Sequence, residues 1–294
     1  MFPYHDENET RRTPYVTFVL IAANVLVWLL VQGAGSTLSL ARSVCELGLI
    51  PGELTASVSP GTRFPMGEGL VCLTDPGRQV QNVVTSMFLH GSWMHLLGNM
   101  WFLWLFGNNI EDSMTRPRFV AFYVLTGLAA ALAQVIADPS STVPMVGASG
   151  AISGVMGAYL VLFPGVRVFT LVPLGFYLTS LALPAWAMLI YWAVLQLFGG
   201  FTGIVAGQAG GVAFWAHLGG FLAGVVLVKL FERPDRLADH RSHHWRPRRV
   251  GCRVRPPRHH PDAPRPLVLA RGPEPHRLRA RAARAVSPFI RRRR

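Results

Sequence analysis

The chain has 294 residues, 51% hydrophobic and only 15% charged, against roughly 25% charged in ordinary soluble domains. Its formal net charge of +13 lies in the Arg-rich stretch from residue 232 onward, which leaves residues 1–231 nearly neutral and apolar. That balance excludes an ordinary soluble domain and a basic nucleic-acid-binding body; an all-α membrane protein is expected.

Six apolar spans follow one another, at roughly 15–33, 86–107, 118–137, 149–163, 184–199 and 212–231. Several reach the roughly 20 residues needed to cross a bilayer core; the fourth and fifth are short. They divide the chain into a cytoplasmic N-terminal segment (1–14), a membrane domain (15–231) and a disordered cytoplasmic tail rich in Arg, Pro and His (232–294). The first span follows Arg11-Arg12, but no convincing small-x-small cleavage site comes after it, so it reads as an anchor rather than a signal. Arg11-Arg12, Arg116 with Arg118, Arg167, and Lys229 with Arg233 fall on one side of a six-span arrangement. The positive-inside rule makes that side cytoplasmic, with both termini inside a cell membrane. Loops 34–85, 138–148 and 200–211 then face out.

Cys45 and Cys72 share the long outer loop, where a disulfide and two free thiols are equally open readings because spacing alone cannot pair cysteines. Cys252 lies in the tail as an inert thiol. No spacing of Cys and His suggests a metal site, and no cofactor is expected.

The informative residues are polar ones inside apolar spans, where polar groups are costly and tend to be functional. Span four begins at Ser149 and ends near Phe163-Pro164. About fifteen helical residues rise roughly 22 Å, less than the roughly 30 Å hydrocarbon core. If its inner end reaches the cytoplasmic surface, Ser149 starts below the outer one. The proline-broken stretch Asp138–Pro144 before it must then be buried in protein or line a wet cavity. Span six runs the same way, placing His217 roughly 8 Å down from Val212. Span two, counted from Met87, places His95 and Asn99 at roughly 12 and 18 Å, or less if the helix starts after His90. His95 and Asn99 are four apart and share a face. A hydroxyl with an imidazole in reach can perform nucleophilic catalysis, and side-chain donors facing the serine could hold a tetrahedral oxyanion. Each of these two residues also fits an ordinary interhelical hydrogen bond.

Gly150-x3-Gly154 and Gly220-x3-Gly224 read first as packing motifs that let helix backbones approach. Gly147 and Gly150 flank the serine at a helix start, where glycine permits a tight bend and leaves backbone N–H groups exposed. No Asp or Glu lies inside spans four or six, so a Ser-His dyad is expected; Asp138 reads as a loop or cap residue. His90, near the membrane surface, orders the loop.

Three motifs in order carry a resemblance to a known family: His90-x4-His95-x3-Asn99 in span two, Gly147-x-Ser149-Gly150 opening span four, and Ala216-His217-x2-Gly220-x3-Gly224 in span six. Over about residues 80–230 the chain resembles the rhomboid intramembrane serine proteases. Thr85–Gly91 and Glu111 look like that family too. The resemblance implies a six-helix rhomboid-like bundle of bacterial type that cleaves membrane-anchored proteins near the outer end of their transmembrane helix. It implies Ser149 as nucleophile and His217 as general base and later acid. His95, Asn99 and the Ser149 N–H would form the oxyanion hole, and Gly147 would shape the adjoining loop. Loop 200–211 would be a cap over the site, span five the side where substrate enters, and small P1 residues the preference.

Two departures are visible. Gln81-Asn82 stand where many members carry Trp-Arg. Ser153 stands one turn after the serine, where some members place an aromatic ring against the histidine, so His217 must be held otherwise, with Gly150 and Gly154 as candidate packing partners. The Arg-rich tail should associate with anionic lipid, at roughly 1 kcal/mol per basic residue near the surface, and no specific nucleic acid is expected. Two other functions compete with proteolysis. A catalytically silent rhomboid-like binding or chaperone protein would be marked by loss of Ser149 or His217, and both are present. A small transporter would show paired intramembrane charges or repeated halves, and neither is evident.

Overall fold

A computed structural model describes residues 2–174, 177–205 and 213–244. The elements run β1 (Phe2–Asp6), α1 (Tyr15–Leu30), α2 (Thr37–Leu47), α3 (Pro51–Leu54), β2 (Arg63–Gly67), β3 (Leu70–Leu73), α4 (Asn82–Thr85) and α5 (Trp93–Phe102). A π-helical turn, Leu103–Gly107, carries α5 into α6 (Asn108–Asp112). Then follow α7 (Arg116–Ala137), α8 (Ser149–Leu162), β4 (Arg167–Leu174), β5 (Tyr177–Pro184), α9 (Ala185–Val205), α10 (Phe214–Phe231) and α11 (Pro234–His244).

Among the described residues, three helices are long and apolar enough to cross a membrane: α7, Ala185–Thr202 of α9, and α10; α1 and α8 are shorter apolar helices. Helix α8 is the hub. Its residues from Ala151 to Tyr159 are all buried, wrapped by α7, α10 and the π turn. Large rings fill the space around it, including Phe106, Phe119, Phe122 and Tyr159. The α8–α10 approach rests on glycine. A methyl at Gly220 would overlap the Gly150 carbonyl oxygen, one at Gly224 the Gly154 carbonyl oxygen, and one at Gly157 the Phe221 carbonyl oxygen. Gly154 receives Thr126 of α7 on its other side. Small side chains thus set the spacing of the helices that carry Ser149 and His217.

The structure departs from the sequence reading in four places. The chain is mostly helical but not all-α. β1, β4 and β5 form an antiparallel three-stranded sheet in that spatial order, and β2 pairs with β3 in a hairpin. β4 and β5 are eight-residue runs rich in branched residues, too short to register as spans. Span two begins at Trp93, not near residue 86. Ser86–Phe88 is a 3-10 turn, and the Ser92 hydroxyl caps α5 by accepting the His95 N–H at 3.1 Å. Span five is longer than expected: Gly199 and Gly200 do not stop α9, because they give room to the Phe214 and Trp215 rings of α10.

The long segment after α1 is folded, with Cys45 and Cys72, left open by the sequence, joined in a disulfide. Residues 234–244, expected to be disordered, form α11. Leu237 and His240 are buried there, and Arg241 donates to the Leu162 carbonyl at 2.7 Å. The rest of the tail, from residue 245, lies outside the described residues, as do positions 206–211 of the expected cap loop. Asp138 ends α7 as its C-terminal flanking residue.

A polar knot ties the N-terminal segment and α11 to the helix bundle. Asp6 accepts from Tyr159 at 2.5 Å and from Asn109 Nδ2 at 3.1 Å. His240 bridges Asp112 Oδ2 and Asn8 Oδ1, both at 2.7 Å, and Arg12 donates to Asp112 at 3.0 Å. Burial pushes the Asp6 carboxyl up from 3.8 to about 6. Burial also acts to raise Asp112, but hydrogen bonds from His240, the Arg11 N–H and Arg12 outweigh it and hold Asp112 below the usual range. Glu111 caps α1, accepting from the Val16 and Thr17 N–H groups at 3.0 and 2.8 Å.

Candidate active site

Ser149 stands at the first position of α8, where the backbone N–H groups have no acceptor within the helix. The loop before it is fixed by two backbone contacts. Met145 pairs with Leu49 as an isolated bridge, and the Gly147 N–H donates to the Ser86 carbonyl at 2.9 Å. Gly147 has φ +128, a conformation side chains rarely adopt, and a Cβ there would lie 2.8 Å from His95 Nε2 and 3.4 Å from Ser149 Oγ. Glycine is therefore required twice over, by backbone conformation and by space.

His217 is on the first turn of α10. Its Nε2 lies 2.7 Å from Ser149 Oγ, a hydrogen bond across two helices that are 68 residues apart in sequence. Its Nδ1 lies 2.8 Å from Gln196 Oε1 on α9. Trp192, one turn before Gln196, sets its ring 5.9 Å from the imidazole, tilted by 37°. A neutral imidazole carries one N–H. With the Gln196 oxygen facing Nδ1, a proton on Nδ1 would leave the Nε2 lone pair to accept from Ser149. The expectation that Gly150 and Gly154 hold the histidine needs correction: Gln196 and Trp192 stand against its ring, and the two glycines stand against Ala130 and Thr126 of α7 and the backbone of α10. Ser153 turns away, donating to the Ser149 carbonyl at 2.6 Å.

His95 stands beside Gly147, and Asn99, four residues on, shares its face of α5. The Gly91 N–H donates to His95 Nδ1 at 3.3 Å, so the ring proton is on Nε2, the nitrogen beside Gly147. Asn99 is buried, and its Nδ2 has no hydrogen-bond partner among the described residues. A buried amide donor without an acceptor is costly and suits an acceptor that arrives with a ligand. Because α5 starts at Trp93, both residues lie less deep than counting from Met87 implies. His90 precedes the helix. Its backbone is clamped by the Gln32 carboxamide in both directions at 2.8 Å, and its ring meets that of His95 at 5.1 Å, nearly edge-on. Both His90 ring nitrogens lack partners among the described residues. A cavity of about 20 Å³ opens beside Ser149, lined by Gly127, Ala130, Gly150 and Ala216 among others, enough room for about one water.

Sequence reasoning missed Gln196 and Trp192. Gln196 carried a usable signal, a lone carboxamide in an apolar run, but the search for a third member was confined to Asp and Glu in spans four and six.

Comparison with known proteins adds a separate line. The family model described as the Rhomboid domain matches residues 77–234, more than half of the chain and the stretch that holds every residue of the site. The chain is 34% identical over 149 residues to Rhomboid-like protease 5 of Toxoplasma gondii, covering 49% of this chain and 15% of that protein. It is 32% identical over 145 residues to RHOMBOID-like protein 5 of Arabidopsis thaliana, covering 49% of this chain and 42% of that one. With Rhomboid protein 1, mitochondrial, of Saccharomyces cerevisiae it shares 30% identity over 155 residues, 49% of this chain and 40% of the yeast protein. The chain thus spans less than half the length of these three relatives.

Proposed function

The chain belongs to the rhomboid family, a family of membrane-embedded proteins, and from that premise we propose that it is an intramembrane serine endopeptidase cleaving membrane-anchored proteins in or near their transmembrane segment. The observation that carries this reading is the 2.7 Å contact between Ser149 Oγ and His217 Nε2. Helix α8 is 14 residues long, about 21 Å at helical rise, so its N-terminal serine sits below one membrane surface when its other end reaches the opposite one. A hydroxyl paired with an imidazole acceptor at that depth serves acyl transfer better than it serves packing.

The chemistry follows from the geometry. His217 Nε2 takes the Ser149 proton as Oγ attacks the substrate carbonyl carbon. The charge that develops on the carbonyl oxygen meets His95 Nε2–H, Asn99 Nδ2–H and the free Ser149 N–H. Such donors are worth most where charge appears in the transition state. His217 then returns the proton to the leaving amine, and water, activated by the same nitrogen, releases the acyl group. The small cavity and the glycine and alanine residues around Ser149 favour a small side chain at the cleaved position.

The proposal extends to topology. Helices α1, α5 with α6, α7, α8, α9 and α10 make six spans in a cell membrane with both termini cytoplasmic, the membrane domain covers residues 15–231, and the basic tail contacts anionic lipid. Reconstitution with membrane-anchored substrates tests the function: Ser149→Ala and His217→Ala should each abolish cleavage while the protein stays folded. A fluorophosphonate should label the wild type and not Ser149→Ala. An unlabelled, inactive wild type would favour a silent binding protein instead.

A further inference from the structure

We propose that Gln196 is a positioning residue of the proton relay, holding His217 in the one tautomer that can accept the Ser149 proton. This inference rests on the protease reading for its consequence in catalysis, but not for the geometry that supports it.

The three residues stand in a line on three helices: Ser149 on α8, His217 on α10 and Gln196 on α9. The two contacts, 2.7 and 2.8 Å, engage both ring nitrogens. A neutral imidazole has two tautomers, and only the one with its proton on Nδ1 leaves a lone pair facing the hydroxyl. The Gln196 oxygen accepts the Nδ1 proton and thereby selects that form. The Trp192 ring, on the same face of α9 at i−4, restrains the imidazole plane. Around Gln196 the helix presents only apolar side chains, with Val194, Leu195, Leu197 and Phe198 exposed on its outer side. A carboxamide placed there has a cost in an apolar medium that its bond to His217 offsets.

Glutamine also does something an acidic residue would not. It fixes the tautomer with a neutral acceptor, so no full negative charge stands next to the imidazolium that forms during reaction. Two substitutions therefore separate positioning from packing. Gln196→Leu keeps the bulk and removes the acceptor; kcat should fall about tenfold, the effect of leaving one buried donor unpaired, with KM unchanged. Gln196→Glu keeps an acceptor and adds charge. It should restore kcat on the plateau and move the acid limb of the pH–rate profile upward by about one to three pH units, because an adjacent carboxylate favours the protonated ring.

The decisive measurement does not need activity. In detergent micelles with 15N-labelled histidine, His217 of the wild type should show a protonated Nδ1 and an unprotonated Nε2, and Gln196→Leu should shift toward a tautomer mixture. A wild type with its proton on Nε2 would mean that the carboxamide nitrogen faces the ring, and would overturn the proposal. So would an unchanged tautomer in Gln196→Leu, or equal kcat losses in both variants with no movement of the acid limb. If the tautomer shifts as expected while the wild type neither cleaves nor binds fluorophosphonate, the positioning role stands and the protease reading fails.

Discussion

The α8–α10 contact makes Gly220→Ala a sharp test of how the dyad is held. Gly220 lies three residues after His217, and an added methyl would overlap the Gly150 carbonyl oxygen. A Cβ there would lie 2.0 Å from that oxygen, whereas carbon and oxygen in such contacts settle at ~3.3–3.6 Å, so relieving the overlap requires the backbones to part by about 1.5 Å. The Ser149–His217 separation of 2.7 Å would then grow to roughly 4 Å, beyond hydrogen-bond range. A misplacement of about that size costs on the order of 100-fold in rate. Stability should change much less, since overpacking costs about 1–3 kcal/mol and alanine returns about 1 kcal/mol of helix propensity. The assay is cleavage of a reconstituted transmembrane substrate beside thermal melting in the same detergent. Gly98→Ala serves as control, because a methyl there meets nothing within 4 Å. Activity in Gly220→Ala within about twofold of wild type would refute the claim that glycine contact sets the dyad distance.

Asn99→Ala removes one oxyanion donor and should lower kcat about 100-fold or less, because His95 and the Ser149 N–H remain; loss as complete as in Ser149→Ala would contradict a shared oxyanion site. Asp6 has a folded value of about 6 against 3.8 unfolded. Below pH ~4 both states are protonated and no penalty exists; between about 4 and 6 the unfolded chain releases its proton first; above about 6 the folded state bears the full penalty, on the order of 3 kcal/mol. Melting temperature should therefore fall as pH rises through that window, and Asp6→Asn should flatten the fall and raise the melting point at pH 8. An unchanged slope in Asp6→Asn would rule out this carboxyl as the source. Cys45 and Cys72, 27 residues apart, close a loop of a size worth roughly 3.5 kcal/mol on a chain-entropy account, so Cys45→Ser should lower the melting temperature of the non-reduced protein and remove its sensitivity to reductant.

How much of this was written legibly in the chain depended on the range of the signal. The serine, the histidine and the glycines between α8 and α10 announce themselves because each breaks a local pattern: a hydroxyl or an imidazole in an apolar run, or small residues at four-residue spacing. The sheet formed by β1, β4 and β5 leaves no such mark. β1 is five residues long and becomes a strand only because β4, more than 160 residues later, offers its edge. Helix α11 is equally non-local. Its sequence is polar and charged, and it is ordered by His240 reaching Asp112 and Asn8 and by Leu237 finding the core. Propensity in the segment itself could not report partners supplied from elsewhere.

Gln196 falls between these cases and shows where the sequence reading stopped short. A carboxamide between Leu195 and Leu197, inside the expected span 184–199, was visible as an anomaly, but its meaning needed the level of His217 on the neighbouring helix. The expected span five ends at Gly199, with a Gly-rich loop after it. In the fold those glycines are gaps into which Phe214 and Trp215 fit, and the helix continues to Val205. The same pair of residues therefore allows α9 to lie close against α10, and that closeness brings the carboxamide oxygen to within 2.8 Å of the imidazole. Which side chain meets His217 Nδ1 depends on how α9 and α10 face each other, a property of the packed pair that neither segment carries alone.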